Sequence, residues 1–222
     1  MIRVERVSFS YGRQRIISEL SFEVGDGECA VLAGPNGSGK TTVLSVTAGI
    51  LKASAGNVDT GGGKIGYVPQ GNALFEDATV GENLRFFADL SHSRVPAELP
   101  FSVEKYLGRR VSRLSGGMKK QVSIACAMIG DPGAVLLDEP CAALDISFRD
   151  DMIALIGKWK GEGRSIIYAG HDPSEFFPVF DKIIFLDTPP AVYTRGDLSE
   201  LAGDEIMFRQ FFKDKLKQIE RK

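Results

Sequence analysis

Residues 34–41 constrain the fold of this 222-residue chain more than any other segment. They read Gly-Pro-Asn-Gly-Ser-Gly-Lys-Thr and match G-x-x-x-x-G-K-[ST], the pattern of a phosphate-binding loop. The apolar run 29–33 before the loop predicts a buried strand, and we expect a helix to begin near Gly39. Such a turn surrounds an anion with backbone N–H groups and the positive end of a helix. The segment therefore predicts an α/β fold built around a phosphate site.

Three kinds of group in this loop suit a bound phosphate chain. Gly34, Gly37 and Gly39 permit backbone angles that bring consecutive N–H groups around a phosphate. Lys40 supplies a positive charge for the β- and γ-phosphates, and the Thr41 hydroxyl can ligate Mg²⁺.

Composition excludes several classes of protein. Apolar residues at 43% and charged residues at 25% are typical of soluble globular domains. The formal charge of −2 gives no global basic field, so nucleic acid is not expected as a partner. No stretch approaches the ~18 uncharged apolar residues of a membrane span, and the first residues lack the apolar core of a signal peptide. We therefore expect a cytoplasmic protein.

The three cysteines are Cys29, Cys126 and Cys141, and no Cys-x-x-Cys spacing occurs. An odd number without paired spacing argues against both a disulfide scaffold and a zinc site. Reduced thiols in a cytosolic protein are the expected state.

Hydrophobic patterning predicts the order of strands. Alternating apolar residues predict strands over 2–9 and 20–24, and small polar residues over 52–63 predict a loop. Unbroken apolar runs at 134–137 and 165–169 are typical of parallel strands covered on both faces.

Residues 71–113 interrupt the alternation of strands and helices. Within them Thr79-Val-Gly-Glu82 matches a capping box, which predicts the start of a helix. We expect a small helical insertion here, in a single domain whose core comprises residues 1–70 and 114–203. An amphipathic helix is expected over about 204–222.

A serine and two glycines precede a second predicted helix. Ser115 is a good N-cap, and Gly116 and Gly117 follow it directly. The positive end of this helix could form a second anion site. Simple helix capping is the alternative interpretation.

Two predicted parallel strands end in polar side chains. Asp138 and Glu139 follow the run 134–137, and His171 follows the run 165–169. In open α/β sheets, ligands bind at the carboxyl ends of the strands. Asp138 could therefore face Mg²⁺, Glu139 could hold a water, and His171 is better explained as a γ-phosphate contact than as a surface histidine.

Tyr11 and Gln70 can each be explained either by an ordinary structural position or by a functional role. Tyr11 could be a half-buried turn tyrosine or could stack on an adenine ring. Gln70 lies just after the predicted strand 65–68, where an isolated glutamine is most simply explained as a surface residue.

Taken together, six segments resemble the nucleotide-binding subunit of ATP-binding cassette (ABC) transporters: Gly34–Thr42, Gln70, Leu114–Met118, Val135–Glu139, Ala143–Asp145 and His171. The resemblance covers nearly the whole chain in the family's order. It implies a P-loop NTPase core with a mixed, mainly parallel sheet, an N-terminal antiparallel part and the helical insertion.

The resemblance also implies roles for individual residues, with ATP and Mg²⁺ as ligands. Glu139 would polarise the attacking water, with His171, Lys40 and Gln70 as the other catalytic residues. Mg²⁺ would be held by Thr41, Gln70 and Asp138. The implied nucleotide-binding residues are Tyr11, Gly34, Asn36, Gly37, Ser38, Gly39, Lys40, Thr41, Thr42, Ser115, Gly116, Gly117 and Asp145.

The implied partners are of two kinds. Ser115, Gly116 and Gly117 would reach the nucleotide of a second copy or a related cassette, giving a head-to-tail pair with ATP at each of two interfaces. Separate membrane-spanning subunits would hold the protein on the inner face of the cell membrane. The sequence around Met118 resembles the exporter-type branch of the family.

Other functions have less support. A soluble ABC-type ATPase acting on nucleic acid or ribosomes is the main alternative, but those typically carry two cassettes or a long coiled coil, and this chain has one phosphate loop and no heptad run. A non-catalytic cassette would be expected to lack Glu139 or His171. The basic end of the last predicted helix fits either a solvated helix end or docking near an acidic lipid surface, and its cations are Lys213, Lys215, Lys217, Arg221 and Lys222.

Overall fold

The computed structural model describes residues 1–142 and 144–221. Ala143, from the predicted motif 143–145, and Lys222, at the end of the predicted last helix, lie outside the described residues.

The described residues form nine strands and five α-helices. The strands are β1 Ile2–Tyr11, β2 Gln14–Val24, β3 Cys29–Ala33, β4 Ala55–Asp59, β5 Ile65–Val68, β6 Ala134–Asp138, β7 Ser165–Ala169, β8 Lys182–Phe185 and β9 Ala191–Thr194. The helices are α1 Lys40–Thr47, α2 Val80–Leu90, α3 Gly116–Ala127, α4 Ile146–Gly161 and α5 Glu205–Glu220. Short 3-10 helices span Pro100–Tyr106, Val111–Arg113 and Pro173–Glu175.

A six-stranded sheet with the order β5-β6-β7-β3-β8-β9 forms the centre of the fold. Its first five strands are parallel, and β9 pairs antiparallel with β8 at one edge. Every residue of β3, β6 and β7 is buried, as unbroken apolar runs predict for strands covered on both faces. The carboxyl ends of β3, β5, β6 and β7 consequently meet at one edge of the sheet.

Both faces of this sheet are covered. On one face, α1 and the antiparallel strands β1 and β2 share a buried cluster with β3 and its neighbours. On the other, α4 and α5 pack through buried aromatic and aliphatic side chains, including Trp159, Phe208 and Phe212. The predicted α/β class, with an antiparallel N-terminal part, is confirmed.

The second sheet has the order β2-β1-β4 and corrects one prediction. The segment 52–63 was expected to be a loop, yet β4 pairs antiparallel with β1, with Val4 opposite Val58. The strand is mostly exposed and lacks alternating apolar residues, so periodicity does not reveal it. Gly56, at φ +83°, lets the backbone approach Arg6 so closely that a Cβ would overlap the Arg6 carbonyl.

The helical region between β5 and β6 has its own buried cluster, to which α2, α3 and the first two 3-10 helices contribute. The predicted capping box is present: the Thr79 hydroxyl accepts from the Glu82 N–H, and the Glu82 carboxylate accepts from the Thr79 N–H. Across residues 1–142 and 144–221, no helix has the length and apolar character that a membrane crossing requires.

Candidate functional site

The Glu139 carboxylate lies where four strand ends converge. Its Oε2 accepts from Gln70 Nε2 at 3.2 Å, and its Oε1 lies 3.9 Å from Lys40 Nζ and 3.5 Å from His171 Nδ1. Gln70 follows β5, Glu139 follows β6, His171 follows β7, and Lys40 lies beyond β3. The structure therefore brings together the four residues that the resemblance assigned to catalysis.

The backbone at Glu139 is unusual. Its φ is +46°, a left-handed conformation that costs a side-chain-bearing residue ~1–3 kcal/mol. The Glu139 N–H donates to the Ala169 carbonyl at 2.9 Å, which holds the turn against the end of β7. The Glu139 side chain is only 13% exposed, so its carboxylate is fixed at the edge of the sheet.

Glycine geometry shapes the phosphate loop. Gly37 and Gly39 have φ values of +83° and +96°. A Cβ at Gly39 would lie 2.7 Å from Ile16 Cγ2, and a Cβ at Gly34 would overlap the Ser38 hydroxyl. The loop therefore requires glycine at these positions both for conformation and for space.

Lys40 is buried at the start of α1 and bonds back to its own loop. Its Nζ donates to the Gly34 carbonyl at 2.9 Å and to the Pro35 carbonyl at 3.2 Å. Burial lowers the pKa of Lys40, and the charges of Glu139 and Asp138 oppose that decrease. The ammonium is thus held inside the loop, where a phosphate could exchange for the carbonyl oxygens.

Asp138 and Thr41 are the candidate residues for a cation site. The Thr41 hydroxyl hydrogen-bonds to the Asp138 carboxylate, but Asp138 Oδ2 is buried without a hydrogen-bond partner among the described residues. Burial raises the pKa of Asp138, as does the charge of Glu139, whereas Thr41, Lys40 and Lys120 oppose the increase. An orphaned, buried carboxylate oxygen beside a hydroxyl fits a hard cation such as Mg²⁺.

The described part of the chain has no group of three or more His, Cys, Asp or Glu side chains able to hold a metal by themselves. Mg²⁺ is commonly held by one or two carboxylates together with substrate phosphates. Ser38 Oγ, buried in the loop without a partner among the described residues, is another group available to a ligand.

Ser115 lies at the exposed start of α3. Its Oγ accepts from the Met118 N–H at 3.3 Å, so the predicted N-cap is present. Gly116 is also exposed, and nothing lies within 4 Å of where its Cβ would be. Within residues 1–142 and 144–221, no hydrogen bond or ion pair links 115–117 to the phosphate loop of the same copy.

Asp145 and Tyr11 have local partners in the structure. The Asp145 carboxylate caps α4 by accepting from the Phe148 N–H at 2.9 Å. Tyr11 is the last residue of β1, is 54% exposed, and contacts Phe9 edge to face at 4.9 Å. A cavity of about 990 Å³ lies between β2 and the phosphate loop, and Tyr11 is not among the described residues that line it.

Sequence patterns did not indicate a role for Lys120. It lies on α3, is buried, and donates to the carbonyls of Pro69 and Gln70. A lysine in an amphipathic helix is ordinarily read as solvent-exposed, so only the tertiary structure reveals this contact.

A family model described as ABC transporter matches residues 17–142, more than half of the chain. The chain belongs to the ABC transporter family. The linearmycin resistance ATP-binding protein LnrL of Bacillus subtilis (strain 168) is 31% identical over 230 aligned residues, which cover 93% of this chain and 74% of that protein. The cassette is an ATP-binding subunit of an ABC transporter and an ATPase.

Solved structures show the same fold. An ATP-binding subunit of an ABC transporter superposes with a TM-score of 0.82 at 24% identity, covering 98% of this chain and 99% of that one. A dimeric post-hydrolysis state of an ATP-binding cassette, bound to ADP and Pi, superposes with a TM-score of 0.69 at 22% identity, covering 83% and 94%. The predicted P-loop NTPase architecture is confirmed.

The geometry of the loop predicts the effect of Gly34→Ala. The added methyl group would overlap the Ser38 hydroxyl, so the loop must shift and its N–H groups lose their alignment. We expect ATP affinity to fall by roughly tenfold or more, equivalent to ~1.4 kcal/mol. Calorimetric titration with ATP measures this. Gly157→Ala, on α4, where the methyl group also meets open space, is the matched control, and equal affinities for the two variants would contradict the assignment.

Proposed function

We propose that two cassettes, either two copies of this chain or this chain and a related one, bind ATP head to tail. The phosphate loop of one cassette and residues 115–117 of the other would hold each triphosphate. One observation supports this arrangement above all: each copy carries two helix starts suited to anions, at Lys40 and at Ser115, and the second is exposed. One triphosphate in one copy needs only the first.

A structural relative supports the same idea. The cassette solved in a post-hydrolysis state with ADP and Pi is a dimer. Because ATP bridges the two cassettes in the proposed pair, it would bind the closed state better than the open state and so shift the population toward closure. Hydrolysis would remove that preference and allow the pair to reopen.

Hydrolysis would take place at Glu139. Water attacks the γ-phosphorus, the bond from that phosphorus to the bridging oxygen breaks, and the proton of the water passes to the Glu139 carboxylate. Gln70 and His171, which both contact this carboxylate, hold it in place. His171 is also the proposed contact of the γ-phosphate. Lys40 exchanges the carbonyls of Gly34 and Pro35 for phosphate oxygens.

Thr41, Asp138 and Gln70 are the proposed Mg²⁺ ligands. When bound, Mg²⁺ neutralises charge on the phosphates during transfer. The unpartnered Oδ2 of Asp138 and the nearby Thr41 hydroxyl are the structural support for this assignment. We propose that Tyr11 stacks on the adenine. Asp145, which directly precedes α4, is proposed to lie beside the nucleotide.

An exposed aromatic pair in the helical region is a candidate docking site for the membrane-spanning subunits. Phe75 and Phe86 are 52% and 42% exposed, and their rings meet edge to face at 4.8 Å. Leu90, on the same helix as Phe86, is 63% exposed. Exposed apolar clusters of this kind mark interaction surfaces. We place the cassette at the inner face of the membrane through this surface.

Glu139→Gln tests the hydrolytic role. The amide cannot take the proton, so single-turnover hydrolysis should fall by roughly 10²–10⁴-fold while ATP binding is retained. Radiolabelled ATP cleavage and equilibrium binding measure the two quantities. Glu76→Gln makes the same change in an exposed ion pair with Lys119 and should leave hydrolysis unchanged. Near-normal cleavage by Glu139→Gln would exclude Glu139 as the base.

Mixing two inactive variants tests the head-to-tail pair. Ser115→Arg keeps its own phosphate loop but blocks its partner's nucleotide, whereas Lys40→Met disables its own loop but keeps Ser115. Each variant alone should lose hydrolysis, and a mixture should recover up to roughly a quarter of wild-type turnover, because half of random pairs are mixed and carry one intact site. Ser115→Arg should still bind ATP. Hydrolysis by Ser115→Arg as a single copy would contradict the model.

Phe86→Ser tests the proposed docking surface. The change should leave hydrolysis by the isolated cassette within ~2-fold of wild type, yet reduce the fraction that co-sediments with cell membranes by ~5-fold or more, as expected for an aromatic hot spot. Ile206→Ser, at an 82% exposed position on α5, is the control. Equal membrane association of the two variants would place the docking surface elsewhere.

A further inference from the structure

Lys120 is a buried cation that the proposed hydrolysis does not use. Only 6% of the residue is exposed. Its Nζ donates to the Pro69 carbonyl at 3.0 Å and to the Gln70 carbonyl at 2.9 Å. Removing an ammonium from water costs several kcal/mol, so a lysine is rarely buried like this without compensating partners.

The neighbouring lysine on α3 behaves differently. Lys119 forms an ion pair with the exposed Glu76 at 2.7 Å. The two lysines are adjacent in sequence but point to different surroundings, and only Lys120 turns toward the sheet edge. The chain therefore offers a matched pair of lysines on one helix.

The backbone that Lys120 contacts has few other restraints. Outside the helices and strands, no backbone–backbone hydrogen bond involves residues 69–74 within the described chain. Gln70 is exposed, yet its side-chain amide donates to Glu139 Oε2 at 3.2 Å. The two bonds from Lys120 are thus the main polar restraint on the backbone that carries this amide.

Lys120 also interacts electrostatically with Asp138 at the end of β6. The charge of Asp138 opposes the decrease that burial causes in the pKa of Lys120, and the charge of Lys120 opposes the increase in the pKa of Asp138. Two buried lysines therefore compensate negative charge at the end of β6: Lys40 from α1 opposes the charges of Asp138 and Glu139, and Lys120 from α3 opposes that of Asp138.

We propose that Lys120 is a positioning residue for hydrolysis: it fixes the backbone at Gln70 so that the Gln70 amide stays on the Glu139 carboxylate. This inference rests on the proposed function of Glu139. It connects α3, which begins beside Ser115, to the hydrolytic carboxylate of the same copy. A shift of α3 would be transmitted through one side chain to Gln70 and from there to Glu139.

Lys120→Met separates positioning from a purely structural role. Methionine has a similar length and no donors, so it keeps the aliphatic packing of the side chain and removes both hydrogen bonds to the Pro69 and Gln70 carbonyls. Because a charge that opposes that of Asp138 is also lost, we expect a lower melting temperature in a variant that remains folded, and an ATP KM within ~2-fold of wild type. We expect kcat to fall by roughly tenfold or more, because small misplacements of catalytic groups are costly. Lys119→Met is the control and should retain wild-type kcat.

A second measurement observes Gln70 directly. In NMR spectra the side-chain amide of Gln70, assigned by comparison with Gln70→Glu, should move toward the position of a free glutamine in Lys120→Met and should stay unchanged in Lys119→Met. Wild-type kcat in Lys120→Met, or an unmoved Gln70 amide, would overturn the proposal. A loss of folding in Lys120→Met would also overturn it, since Lys120 would then be structural.

These outcomes are distinguishable from a failure of the proposed function. If Glu139→Gln hydrolyses ATP normally, the role of Glu139 is wrong, whereas the Gln70 amide in Lys120→Met still tests whether Lys120 positions Gln70. If Glu139→Gln is inactive and Lys120→Met has normal kcat, only the role of Lys120 is wrong.

Discussion

The contacts that hold the Glu139 carboxylate at the carboxyl edge of the six-stranded sheet are the interactions on which the rest of the site depends. Gln70, Lys40 and His171 reach it from three other strand ends. Those ends meet only because β3, β5, β6 and β7 run parallel and lie side by side. The central sheet therefore acts as the frame that sets distances between groups that are far apart in sequence.

Two adjacent carboxylates at the end of a buried strand are electrostatically unfavourable unless positive charge lies nearby. Lys40 supplies that charge from the phosphate loop, and Lys120 supplies it from the helical region. The strained backbone at Glu139 adds to the cost of the arrangement. This strain lowers the stability of the folded protein while the carboxylate is held in a fixed position. Backbone strain of this kind is common at functional positions.

Local signals predicted much of this structure. The N-cap at Ser115 and the capping box at Thr79 depend on residues three apart, and the structure has both. The buried strands were predicted because three of them have apolar side chains on both faces. The phosphate loop was predicted because its glycines meet a local steric need that the pattern itself encodes.

Three features that depend on partners not evident from the sequence pattern were missed. The strand β4 was missed because it is exposed and is defined by pairing with β1, with the close approach of Gly56 to Arg6. The burial of Lys120 was missed because its acceptors lie 50 and 51 residues earlier in the chain. Tyr11 was expected in a turn and instead ends β1, since the strand continues until pairing with Gln14 closes the hairpin.

The way Lys40 bonds to its own loop has a thermodynamic consequence. Because Nζ already has two carbonyl acceptors, Gly34 and Pro35, binding a phosphate replaces existing hydrogen bonds and does not create them from nothing. The net gain is the difference between a bond from the ammonium to a charged phosphate oxygen and one to a neutral carbonyl oxygen, which is far smaller than the full strength of either. When the nucleotide leaves, the two loop carbonyls become the acceptors of Lys40 again, which lowers the free-energy cost of product release in a protein that must turn over repeatedly.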